Sequence, residues 1–176
     1  MAICGLIGRL AYNNLSMEIF YVWIEQVWVP VLGYLPEVIF LTKGWIGIIF
    51  AILEDAELLL SRKWVNGNNS LMLKRLRLAF NPQTEYFSVR NIWVMLPGIP
   101  LYLWNEGALT AIRNNLGNFI MVDKNNLESK NRKIAKILVE MDVHLGMPVT
   151  MEVEWHGLCH KKRLDYLGLP FRCSYC

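Results

Sequence analysis

Cys173 and Cys176 are separated by two residues in "RCSYC". Two thiols at that spacing are either a redox pair, half of a tetrahedral metal site, or an accident of composition. A redox pair sits at the start of a helix, whose dipole lowers the pKa of the attacking thiol, and no such helix is expected at Cys173 and Cys176. A zinc site needs four donors. His156, Cys159 and His160 would complete a closed site across a hairpin, but their strand-like surroundings are not those of a compact knuckle. The better reading makes Cys173 and Cys176 the first two ligands of a site whose other donors lie beyond Cys176. Zinc is then expected only if the chain continues.

Catalytic chemistry has little to stand on. His144, His156 and His160 have no serine or cysteine nucleophile motif beside them, and no glycine-rich phosphate loop follows a strand. An enzyme is not expected.

Binding chemistry is better represented. "KGWIGIIF", residues 43–50, follows in part the pattern of the third strand of an RNA-recognition module. Lys43, Gly44, Trp45, Ile48 and Phe50 fit that pattern, whereas Ile46 and Gly47 do not. Such a strand projects aromatic faces from the open side of a sheet, where unpaired bases stack. Alternation puts Trp45 and Gly47 on one face and Ile46, Ile48 and Phe50 on the other, the expected core side. A buried strand with one aromatic residue is the competing reading. In "LKRLRL", Arg75 and Arg77 share one phase and Lys74 takes the other. The basic runs "KNRK" (residues 130–133) and "HKKR" (residues 160–163) add further positive charge. The candidate nucleic-acid contacts are thus Lys43, Trp45, Arg75, Arg77, Lys161, Lys162 and Arg163. Solvated loops, and charges that keep an edge strand from aggregating, are the plain alternatives.

The elements that must hold these residues read in a definite order. "ICGLIGRL" is a strand. A helix follows Ser16 as N-cap, with Met17, Phe20, Ile24 and Val27 at helical spacing. "EVIFL" and "WIGIIFAI" are strands around a "TKG" turn. "LEDAELLLSRKW" is a helix with acids in its first turn and Arg62 and Lys63 in its last. "VNGNN" is a hairpin-type turn into the strand "SLMLKRLRLAF". This β-α-β-β-α-β order is the ferredoxin-like, RRM-like arrangement. Residues 81–91 form a polar connector after the domain at 1–80. Residues 92–168 form a smaller α+β extension, with a helix ending at Gly117, strands at "NFIMVD", "KIAKILVEMDV" and "VTMEVEW", and "KNNLESKNRK" as a loop. Residues 169–176 begin the incomplete metal site. No internal repeat is evident.

Composition narrows the class further. A hydrophobic fraction of 54% with 19% charged residues excludes a disordered tail, and a net charge of +3 excludes a general polycation. The most apolar stretch, residues 27–53, is interrupted by Pro30, Pro36, Glu37 and Lys43, so no membrane span is expected. No secretory signal opens the chain, so its four cysteines are expected reduced in the nucleus or cytoplasm.

Most of the chain resembles the plant gag-like domain of unknown function found upstream of a CCHC zinc knuckle in the first open reading frame of LINE-type retrotransposons. Trp64, "IWVMLPGIPLYLW", "LGNFIMVD" and "GLPFRCSYC" carry the resemblance. It implies a noncatalytic protein that binds single-stranded RNA or DNA, with Cys173 and Cys176 as the first two knuckle ligands. The knuckle's His and last Cys are absent, so the resemblance also implies a chain truncated within the knuckle. The competing expectations are a self-association module, working through exposed aromatics such as Trp23, Trp28 or Trp104, and an inactive remnant.

Overall fold

The Ser16 hydroxyl accepts the amide of Ile19 at 3.4 Å and opens helix α1 (Met17–Leu32). That bond satisfies one of the amides that a helix start leaves without an intrahelical partner. Phe20, Trp23, Ile24 and Trp28 form its buried stripe, while Met17 is 55% exposed. The large aromatics at i, i+3 and i+8 take the core side, and Met17 falls beyond the edge of the sheet-facing surface. These facts come from a computed structural model, which describes residues 4–11, 15–67, 69–112, 116–155 and 157–167.

The chain divides into two compact units, Met1–Phe87 and Ser88–Cys176. In the first, β1 (Gly5–Leu10), α1, β2 (Glu37–Phe40), β3 (Trp45–Ile49), α2 (Leu53–Leu60), β4 (Trp64–Asn66) and β5 (Asn69–Arg75) follow one another. The sheet order is β2-β3-β1-β5-β4, with every neighbouring pair antiparallel. The first four strands therefore have the ferredoxin-like order, as expected, and β4 is a short addition beyond β5. Arg62 and Lys63 lie past the end of α2, because Ser61 already caps it.

One face of this sheet packs on both helices. Leu6, Leu10, Ile46, Ile48, Phe50 and Leu71 meet Phe20, Ile24, Trp28, Ala56 and Leu59. Full burial of each large side chain stabilises by about 1.5–3 kcal/mol. Trp64 joins this core, with its ring edge-to-face on Trp28 at 5.9 Å and its indole N–H donated to Leu59 O at 2.8 Å.

Tyr34, in the loop after α1, donates its hydroxyl to Asp55 Oδ2 of α2 at 2.6 Å. Loss of hydration, followed by the Asp55 interaction, raises the Tyr34 pKa. The folded value lies above the unfolded one. The contribution to stability is therefore complete below the ordinary tyrosine pKa and is lost as pH rises through the folded value. Tyr34→Phe is expected to flatten this alkaline loss when denaturant midpoints are measured across the tyrosine range. Parallel profiles for variant and wild type would show that the bond contributes nothing.

The second unit runs β6 (Val89–Pro97), α3 (Glu106–Ala111), β7 (Asn118–Val122), α4 (Lys124–Glu128), β8 (Ile134–Asp142), β9 (Thr150–Trp155), β10 (Leu158–Arg163) and β11 (Asp165–Tyr166). Its four-stranded sheet has the order β11-β6-β8-β7, again antiparallel throughout. Ranked along the chain, that is the strand order of the first unit repeated. Pattern alone describes this half as a smaller extension; in three dimensions it is a second ferredoxin-like sheet. The β9–β10 hairpin stands where the fold has its second helix, and Met151 and Val153 enter the same core as Leu109 of α3. Residues 124–128, expected as loop, form the short α4, because the Asp123 carboxylate accepts the Asn126 amide at 3.1 Å.

Among the described residues, no helix is long and apolar enough to cross a membrane.

Candidate nucleic-acid interface

The sheet face of the first unit that carries no helix is built from paired rows. Ile39, Gly47, Ile7 and Lys74 are opposite one another across β2, β3, β1 and β5. Trp45, Arg9 and Met72 make the next row. Trp45 and Gly47 thus share the face opposite the helical core, as strand alternation requires. Around the indole lie two cations, Lys74 Nζ at 5.2 Å and the Arg9 guanidinium at 5.9 Å from the ring centroid. An aromatic face beside cations is the chemistry that stacks a base and holds its phosphate.

That face is nonetheless covered. Trp45 is 0% exposed, yet it is not part of the cluster packed on the helices. Residues 81–87, read from sequence as the start of a polar connector, fold back over it together with Phe80, read as the end of the last strand. Phe87 stacks on the indole at 5.2 Å with an interplanar angle of 25°, and Phe80 meets it edge-on at 5.3 Å. Trp45 is therefore neither a helix-side core residue nor an open platform. It is the centre of a small second core made with its own downstream chain.

The polar anchors of this strap include a residue chosen from sequence and one that was passed over. Lys43 Nζ donates to Gln83 O at 3.0 Å, and Gln83 Nε2 donates to Thr42 Oγ1 at 3.5 Å. Lys74 forms an ion pair with Glu85 and donates to Tyr86 O at 3.0 Å. Its Nζ also lies 4.9 Å from the Phe87 ring centroid.

The other candidates are dispersed. Arg75 is on the helix side of β5 and pairs with Glu57 of α2, so of the two phases of "LKRLRL" it is Lys74 that faces Trp45. Both phases carry apolar residues, and only the β1–β5 register decides between them. β4 flanks only Asn69–Leu71 of β5, so Arg75 lies on the part of the strand left as an edge. Arg77 is exposed just after β5. In the second unit, Lys161 is exposed on β10 directly opposite Glu152, Lys162 Nζ donates to Gly98 O at 2.6 Å, and Arg163 is exposed opposite Thr150. Lys130, Arg132 and Lys133 are exposed in the loop before β8. Sequence reasoning missed Arg9 and Lys74. Their signal was the phase of alternation shared with Trp45 across the sheet, which appears only once strand order is known.

Among the described residues, no three His, Cys, Asp or Glu side chains gather as a metal site. Cys159 and His160 are neighbours on one strand and project to opposite faces, Cys159 with Glu154 and His160 with Val153. Partial loss of water, and then Glu152, hold the Cys159 thiol above its ordinary pKa, which disfavours the thiolate a metal needs. His156, Cys173 and Cys176 lie outside the described residues. Trp23, Trp28 and Trp104, named as exposed aromatics for self-association, are all buried. The signal was there for two of them, since Trp23 is three residues after Phe20 and Trp28 four after Ile24, whereas Trp104 follows a 3-10 turn with no such spacing.

No family model and no curated protein matches the chain. Solved structures similar to it include the "SXL-LETHAL PROTEIN/RNA COMPLEX", at 12% identity and a TM-score of 0.36, covering 94% of this chain and 98% of that one. The first two RRM domains of yeast poly(U) binding protein are similar at 14% identity and a TM-score of 0.30, covering 94% and 99%. At these scores the likeness adds nothing to the strand orders, which by themselves make the fold α+β, ferredoxin-like and RRM-like.

Proposed function

We propose that this chain is a noncatalytic protein that binds single-stranded nucleic acid, RNA in the first instance, and that it derives from a retroelement gag-like reading frame. The observation that carries the binding reading is Trp45 on the helix-free face of a ferredoxin-like sheet, flanked by Arg9 and Lys74. A base stacks on an indole whatever its identity, and the two cations meet the adjoining phosphates. Arg77, exposed just after β5, is a third positive group for a longer strand. The gag-like origin rests on the resemblance carried by Trp64, "IWVMLPGIPLYLW" and "GLPFRCSYC". Zinc enters this reading only with a knuckle completed after Cys176.

Fluorescence anisotropy of a labelled oligouridylate and its deoxy counterpart, titrated with the full chain, tests the reading. Affinity is expected to fall with salt. Three phosphate contacts give a log–log slope of about −2, and Lys74→Ala should reduce it by about 0.7. Failure of both the wild type and a variant with Trp45 uncovered to bind either oligonucleotide at low salt would overturn it.

A further inference from the structure

We infer that residues 80–87 are an intrachain competitor for the Trp45 face, so that a nucleobase stacks there only after Phe87 has left. The inference rests on the nucleic-acid reading of that face and adds its regulation. Phe87 lies nearly parallel to the indole at 5.2 Å, the arrangement a stacked base would adopt. Lys74 is held at the same time by the Glu85 carboxylate and the Tyr86 carbonyl, two oxygen acceptors in the role of a phosphate. The strap thus offers the face an aromatic ring and an anionic oxygen together, the two features of a nucleotide.

Its attachment suits release. The strap forms no strand or helix, and four of its amides bond locally: Phe80 to Arg77 O just before the strap, Gln83 to Asn81 Oδ1, and Thr84 and Glu85 to Asn81 O. No sheet ladder breaks when it lifts. Segments held by few bonds of this kind open locally at low cost. The closed state also carries a penalty, because the Trp45 indole N–H is buried without a hydrogen-bond partner among the described residues. Opening returns that donor to water or to an acceptor on the ligand.

Closure reduces apparent affinity by the fraction of molecules that are open. Phe87→Ala is therefore expected to bind a labelled oligouridylate about tenfold more tightly than wild type, close to the free energy of one aromatic pair. Adding Trp45→Ala to that variant should remove the gain. Glu85→Gln, which keeps both aromatic rings, should gain about threefold through the freed Lys74. Hydrogen exchange on the unmodified chain gives the second readout. Saturation with oligouridylate should speed exchange at the amides of Phe80, Gln83, Thr84 and Glu85, because their short local turns fray once the packing on Trp45 is lost. Equal affinities for wild type, Phe87→Ala and Glu85→Gln, with exchange at those amides unchanged by bound RNA, would overturn the strap while leaving nucleic-acid binding in place. Absence of binding by all three proteins would overturn both.

Discussion

Gly117→Ala is expected to destabilise the second unit by about 3 kcal/mol or more and to leave the first unit unchanged. Gly117 has φ +136°, a conformation that side-chain-bearing residues rarely adopt. A Cβ built there would stand 2.4 Å from the carbonyl oxygen of Glu140 and 3.3 Å from Val139 Cγ1. The carbonyl cannot give way cheaply. It belongs to β8, paired on one side with β6 and on the other with β7, whose first residue Asn118 is opposite Glu140. Relieving the clash means shifting the central strand or losing the start of β7. Chemical denaturation followed by hydrogen exchange, comparing amides of β8 with those of β3, separates the two units. A variant within about 0.5 kcal/mol of wild type in the second unit would be inconsistent with this backbone at residue 117.

Trp45→Ala is expected to cost the first unit about 3–5 kcal/mol, the usual range for deleting a large buried aromatic. An indole lying open on a sheet surface would cost only about 0.5 kcal/mol. The difference follows from Phe80, Phe87 and the stem of Lys74, which lose their packing partner when the ring is removed. The same variant should speed exchange at the amides of residues 80–87, because the strap has nothing left to close on. A cost below about 1 kcal/mol, with the strap amides unaffected, would mean that Trp45 is not the centre of a packed cluster.

Much of the first unit was legible in the sequence. The Ser16 cap, the helical spacing of Phe20 and Ile24, and the alternation through "WIGIIF" are local signals, and local hydrogen bonding and burial satisfied them as read. The β-α-β-β-α-β order followed from those signals, because few ways of pairing such a series bury both helices on one face. Alternation also placed Trp45 and Gly47 together, away from Ile46 and Ile48.

Three features were decided only in three dimensions. The two phases of "SLMLKRLRLAF" are similarly apolar, with Leu71 and Leu73 against Met72 and Leu76, so no sequence pattern says which one faces the helices. Pairing with β1 settles it, sending Arg75 to Glu57 and Lys74 to Trp45. The segment "NPQTEYF" is polar enough to read as a connector, and its order comes from Trp45, a residue about forty positions upstream. The second ferredoxin-like sheet left no repeat in the sequence. Strand order is set by which edges meet, and a hairpin carrying Met151 and Val153 fills the layer that a helix fills elsewhere. The sequence by itself determined the β-α-β-β-α-β order of the first unit and which side chains are able to stack or pair with charge. Tertiary structure decided which of them meet, because cross-strand register and the return of the strap bring together residues that no local spacing connects.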